Sequence, residues 1–168
     1  MDSTTRNPDA VIDDDAFSVR RTIRIAAPID KVWQAISVPE HVSRWFGTTV
    51  LVGSGTGATG TVTFPGEAPF PLRIEAFDEP RLIAYRWRND DAYRDANGGS
   101  LGDHDDPLAP EETTVFTFTL EQVDGGTQLT VVETGFDGTV DAAVNMASHR
   151  EGWTVELDKL VVQLESAA

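Results

Sequence analysis

The stretch from Ala27 to Phe46, APIDKVWQAISVPEHVSRWF, constrains this chain more than any other. It follows FSVRRTIRIA, in which Phe17, Val19, Ile23 and Ile25 share one parity. Ser18, Arg20, Thr22 and Arg24 share the other, and Arg21 alone breaks the pattern. Period-two alternation marks a half-buried strand. Pro28 then stands where the first turn of a helix tolerates proline, because its missing N–H would have no partner there. Val32, Trp33 and Ile36 recur at helical spacing. Pro39 ends that helix and opens a second, with Val42, Trp45 and Phe46 on its apolar side, and Gly47 stops it. A helix this short cannot cover a Trp-Phe pair, so a larger apolar surface must do so.

Further strands are predicted over 48–52, 61–64, 71–78, 81–88, 113–122 and 127–134. The glycine-rich residues 53–60, GSGTGATG, form a turn between the first two of these. They lack the lysine and the following helix that a phosphate loop requires. Glu79-Pro80 and Val123-Asp124-Gly125-Gly126 mark turns, the latter a strong hairpin signal. In RLIAYRWR, Ile83, Tyr85 and Trp87 face the interior, while Arg86 and Arg88 face water. Residues 89–112 interrupt the sheet with eight acidic residues, several glycines and prolines, and little periodicity. A loop of that length and charge reads as a functional lid or a disordered segment. The chain closes with a helix over 139–165, capped by Thr139. Its apolar stripe runs from Val140 and Val144 through Trp153 and Leu157 to Leu164. Gly152, in mid-helix, points to close approach of a strand or loop.

The order of elements predicts an α+β domain: a curved antiparallel sheet gripping one long C-terminal helix, with two short helices after the first strand. A curved sheet and a straight helix do not pack flush, so a cavity is expected between them. The 168 residues fit one domain, placed at 17–168, with 1–16 as a disordered acidic leader and 89–112 as an acidic insert. There is no cysteine, and the first residues carry no basic-then-apolar signal, which together fit a cytoplasmic protein. A net charge of −15 argues against nucleic acid and anionic membranes as partners.

The segments IRIAAPIDKVWQAIS, PEHVSRWF, TTVFTFTLEQVDGGTQLTVVETGF and the Gly-Trp of the last helix together resemble the START-like, helix-grip superfamily, also called SRPBCC. Within it they are most similar to the domain named for the activator of heat shock protein 90 ATPase. The resemblance covers about residues 17–164. It implies binding of a small apolar or amphipathic molecule in the cavity.

The residues placed at that cavity are Trp45, Phe64, Tyr85, Trp87, Phe116 and Phe118, with Glu133, His149 and Trp153. Each aromatic taken singly also reads as core; as a group they exceed what a sealed core needs, with Trp45 and Phe46 near the mouth. His149 lies four residues before Trp153 and so shares its helix face. Glu133 has the parity of Leu129 and Val131. If both point inward they form the best acid–base pair in the chain; a helix-surface histidine and a solvated strand-end glutamate are the alternatives. Three readings follow: a binding protein for a small amphipathic ligand, a cyclase- or aromatase-type enzyme using Glu133 or His149, and a chaperone-interacting module. A homodimer is compatible with each. No cofactor is expected. Residues 102–106, GDHDD, place His104 among carboxylates, but the calcium-loop template read from Asp95 fails, with Ser100 at position six and Asp106 at position twelve, so no metal is expected either.

Overall fold

The computed structural model describes residues 7–102 and 104–166. Eight strands form one antiparallel sheet: β1 (Val11–Asp13), β2 (Ser18–Ile25), β3 (Thr48–Val52), β4 (Thr59–Thr63), β5 (Phe70–Asp78), β6 (Leu82–Trp87), β7 (Thr114–Val123) and β8 (Gly126–Thr134). Their spatial order is β1-β2-β8-β7-β6-β5-β4-β3, so the sheet is open, with β1 and β3 at its edges. Helices α1 (Ile29–Ser37) and α2 (Pro39–Val42) follow β2, α3 (Asp91–Ala96) lies between β6 and β7, and α4 (Ala142–Ser166) closes the chain. The α+β architecture expected from the order of elements, an antiparallel sheet with one long C-terminal helix and two short helices after an early strand, is the one observed. Among the described residues no helix is long and apolar enough to cross a membrane.

β2 shows how the sequence builds the core. Val19, Ile23 and Ile25 are buried against α4, and Arg21 keeps their parity at 1% exposure. A buried cation must be paired and hydrogen-bonded. Arg21 donates to the carbonyls of Pro8 (2.7 Å), Trp153 (3.3 Å) and Thr154 (2.8 Å), and to Asp158 Oδ1 (2.7 Å). The one break in the strand's apolar pattern is therefore the point where sheet and helix are bolted together.

Several expectations are corrected. Residues 7–16 are not a loose leader: β1 pairs with β2 in the register Val11↔Arg20 to Asp13↔Ser18. Ala10 is fully buried; its N–H donates to Thr154 Oγ1 (3.0 Å) and its carbonyl accepts from Arg150 Nε (2.9 Å). Three residues of pairing carry too little pattern to stand out from an acidic background. The rest of the expected leader, residues 1–6, lies outside the described residues. The insert is not structureless, since α3 sits inside it, capped by Asp90 Oδ1 accepting from Tyr93 N at 3.0 Å. Arg88 is buried rather than wet, donating to the Pro107 carbonyl (2.6 Å) and Glu112 Oε2 (3.0 Å), because the insert folds back over it.

α4 also differs from expectation. It is capped by Asp141, whose Oδ1 accepts from Val144 N at 3.2 Å, whereas Thr139 bonds back to the Phe136 carbonyl. Its buried face runs through Asn145, Met146, His149, Trp153, Leu157 and Leu160, while Val140 and Val144 are exposed. The expected stripe is misplaced at its N-terminal end because two of the buried positions there are polar. Gly152 meets no strand or loop; nothing lies within 4 Å of the place a Cβ would occupy.

Candidate ligand-binding cleft

Glu133, on β8, is fully buried and accepts four hydrogen bonds. His149 Nδ1 (2.9 Å) and Trp153 Nε1 (2.8 Å) donate to Oε1; Trp87 Nε1 (2.8 Å) and Thr114 Oγ1 (2.5 Å) donate to Oε2. Strands β6 and β7 supply two donors and α4 the other two. Burial pushes the Glu133 carboxyl upward, but the charge and hydrogen bond of His149, with Thr114 and Trp87, hold it below its ordinary value. Burial likewise pushes His149 down, and this is outweighed by Glu133 and Asp91, which raise it to about 10. His149 is therefore an imidazolium at neutral pH, and both its ring nitrogens are donors.

The second nitrogen has no such partner. His149 Nε2 is 3.4 Å from Asp91 Oδ2, near enough for an ion pair, but makes no hydrogen bond. Asp91 instead accepts from Ser148 Oγ (2.5 Å) and from Arg94 (2.7 Å). Burial pushes the Asp91 carboxyl up, and His149, Ser148 and Arg94 together bring it below the usual carboxylate value.

His149 belongs to the wall of a cleft of about 210 Å³ between α3, α4 and the sheet. Phe46, Phe64, Phe70, Trp87 and Trp153 form its apolar side; Phe46 stacks on Trp153 at 5.6 Å and 7°. Glu67, Asp91, Arg94 and Glu156 form a charged rim. Arg94 spans the mouth: it pairs with Glu67 as well as Asp91, and lies 5.3 Å over the Phe70 ring. Gly152 lines the cleft, and the open space above it is the cleft itself.

Among the described residues, three buried side-chain polar atoms lack a hydrogen-bond partner: Asn89 Oδ1, His149 Nε2 and Glu156 Oε1. All three belong to residues lining this cleft. Glu156 Oε1 is ion-paired with Lys159 at 2.8 Å, which leaves Asn89 Oδ1, with no partner, and His149 Nε2, with only the longer 3.4 Å ion pair to Asp91, as the two least satisfied.

Of the nine residues placed at a cavity from sequence, Phe64, Trp87, His149 and Trp153 line the cleft. Trp45, Tyr85, Phe116 and Phe118 surround a separate void of about 10 Å³, too small for any ligand, and they pack as core. Trp45 Nε1 donates to the Ala35 carbonyl (2.7 Å) and Tyr85 Oη to that of Ile36 (2.5 Å), so their polar atoms serve to fix α1. Burial pushes the Tyr85 phenol upward. Phe46 lines both spaces and divides them. Glu133 lies behind His149, outside both linings. Sequence reasoning missed Asn89, Asp91 and Arg94 because they come from the insert. It also missed what Gly152 signals, a gap held open in a helix. No cluster of metal-ligating side chains occurs among the described residues.

Residues 26–165 match the family described as Activator of Hsp90 ATPase homolog 1-like protein. The chain belongs to that family. No curated protein matches it. Among solved structures, the family fold is shared with protein MLL2253 from Mesorhizobium loti, at 21% identity over 90% of this chain and 98% of the other, with a TM-score of 0.68. The Aha1 dimer from Colwellia psychrerythraea aligns at 20% identity over 88% and 96% of the two chains, with a TM-score of 0.64. DynU16, described as a putative protein in the dynemicin biosynthetic locus, aligns at 24% identity over 89% of this chain, with a TM-score of 0.67. This chain spans about half of DynU16, 48% of its length. Identities at this level establish the fold.

Proposed function

We propose that this family member binds a small amphipathic molecule in the cleft between α3, α4 and the sheet. The observation that carries the reading is the coincidence of the unpaired buried polar atoms with one aromatic-walled cleft. Buried polar groups almost always have partners, and a group left without one calls for an explanation. An apolar pocket with a few convergent polar groups is the usual form of a small-molecule site. At about 210 Å³ the cleft suits a ligand smaller than most drugs.

Proton-transfer catalysis has weaker support. Glu133 is saturated by four donors and does not line the cleft. His149, raised to about 10, is a poor base at neutral pH, where a proton shuttle works best with a value near the ambient pH. A docking role on a chaperone would rest on Val50 and Val52, which are 57% and 77% exposed at the β3 edge, a smaller feature than the cleft. A homodimer draws support from the Colwellia relative, described as a dimer, and from the same free, uncharged edge.

Indole N–H resonances test the binding reading. The chain has four tryptophans; Trp87 and Trp153 line the cleft, and Trp33 and Trp45 do not. Titration with indole and with 1-octanol should shift the Trp87 and Trp153 signals saturably and leave Trp33 in place. Shifts with neither probe, or equal shifts in Trp33, would refute it.

A further inference from the structure

The two least satisfied polar atoms at the cleft are of opposite kinds. His149 Nδ1 must donate to Glu133, because the Glu133 carboxylate is already the acceptor for two indoles and a hydroxyl. With Asp91 Oδ2 3.4 Å from it, Nε2 carries a proton as well; that N–H is ion-paired with Asp91 but not hydrogen-bonded, so it remains a donor for a better-placed acceptor. Asn89 Oδ1 offers an acceptor. The His149 side chain is only 4% exposed, so a partner at Nε2 would be held largely out of bulk water.

The charges around these atoms argue against an ionic ligand. The rim carboxylates are already paired, Glu67 and Asp91 with Arg94 and Glu156 with Lys159, so an entering anion would find the cation at the mouth engaged. A cation would meet Arg94 at the mouth, already seated over Phe70 and paired with both Glu67 and Asp91, and the imidazolium behind it. The carboxylates a cation would need are thus engaged.

We infer that the ligand's polar end is an uncharged hydroxyl, alcohol or phenol, which accepts from His149 Nε2–H and donates to Asn89 Oδ1 while its apolar body lies against Trp87, Trp153 and Phe46. A hydroxyl is the smallest uncharged group that both accepts and donates a hydrogen bond. This rests on the cleft being the binding site.

Four probes of one shape test the class: naphthalene, 2-naphthol, 2-naphthoate and 2-naphthylmethylammonium, each titrated at neutral pH against the Trp87 and Trp153 indole signals. 2-Naphthol is expected to bind about tenfold tighter than naphthalene, as two added hydrogen bonds would give, and tighter than either ion. Asn89→Leu should cut that preference to roughly threefold, and Asn89→Asp, which keeps the acceptor, should preserve more of it. Equal affinity for naphthol and naphthalene, with the indole signals shifting, would overturn the hydroxyl assignment and leave the cleft standing. Tightest binding by naphthoate would overturn it in favour of an anion, with the Asn89 amide turned to present Nδ2. Tightest binding by the ammonium would overturn it in favour of a cation that displaces Arg94. No response from the tryptophans to any probe would overturn the cleft itself.

Discussion

Replacing Glu133 by Gln changes one charge and almost no volume, so it isolates the electrostatics of the buried site. The amide keeps one acceptor oxygen and turns an NH₂ toward two of the four donors. Removing one partner of a buried ion pair costs about 3–5 kcal/mol. The rise of His149 from 6.5 to about 10 gives a second route to the magnitude, on the order of 5 kcal/mol for the environment that raises it. Asp91 remains beside His149 in the variant, so the lower part of the range, about 3 kcal/mol, is expected. For a chain of this size that corresponds to a fall in Tm of roughly 6–12 °C. The pH dependence carries the sharper signature. His149 is raised, so its contribution is complete below about 6.5 and fades as pH climbs toward 10. Glu133 is lowered, so its contribution is present above 4.5 and lost on acidification. The pair therefore stabilises most between these values. Urea unfolding followed by circular dichroism from about pH 5 to pH 10 measures both effects. The difference between wild type and Glu133→Gln should be largest near pH 6 and shrink toward pH 10. A loss below about 1 kcal/mol, or a difference that does not change with pH, would refute the assignment of a charged buried pair.

Gly152→Ala should stabilise the protein by up to about 1 kcal/mol, because alanine favours helix and nothing lies within 4 Å of its methyl; Gly152→Leu should fold equally well yet abolish the probe-induced shifts of Trp87 and Trp153. Arg94→Ala should change stability by less than about 1 kcal/mol while speeding hydrogen exchange at the amides of 91–96, since its half-buried pairs latch α3 over the cleft. Asp90→Ala removes the acceptor of Tyr93 N, Val140 N and Asn145 Nδ2; a loss of about 2–4 kcal/mol and faster proteolysis within 91–112 are expected, and an unchanged digestion pattern would count against Asp90 as the insert's anchor.

The strands with a buried face were legible, because alternation in runs such as Ile83, Tyr85 and Trp87 reports the sheet directly; β1, with no buried residue, was not. Glu133 and His149 were legible too, one by strand parity and the other by its four-residue spacing from Trp153. Their roles were not. A sequence places residues on faces but does not say that four donors from three elements converge on one carboxylate. The insert was the least legible part. Its helix rests on Asp90 reaching Val140 and Asn145, some fifty residues away, and no local pattern announces a tertiary cap. The start of α4 failed for a related reason: hydrophobicity singled out Val140 and Val144, whereas the buried face is marked by Asn145 and His149, whose partners make burial tolerable.

The four donors to Glu133 arrive at different times during synthesis. Thr114 and Trp87 precede it on β7 and β6, but His149 and Trp153 emerge only with α4. Until that helix docks, the concave side of the nascent sheet carries a carboxylate with half its partners and no counter-charge. Such a group stays hydrated, and so does the surface around it. The unfinished sheet therefore resists drying into a wrong closure with itself or another chain. A single acid at the centre makes arrival of the last helix the condition for sealing the core.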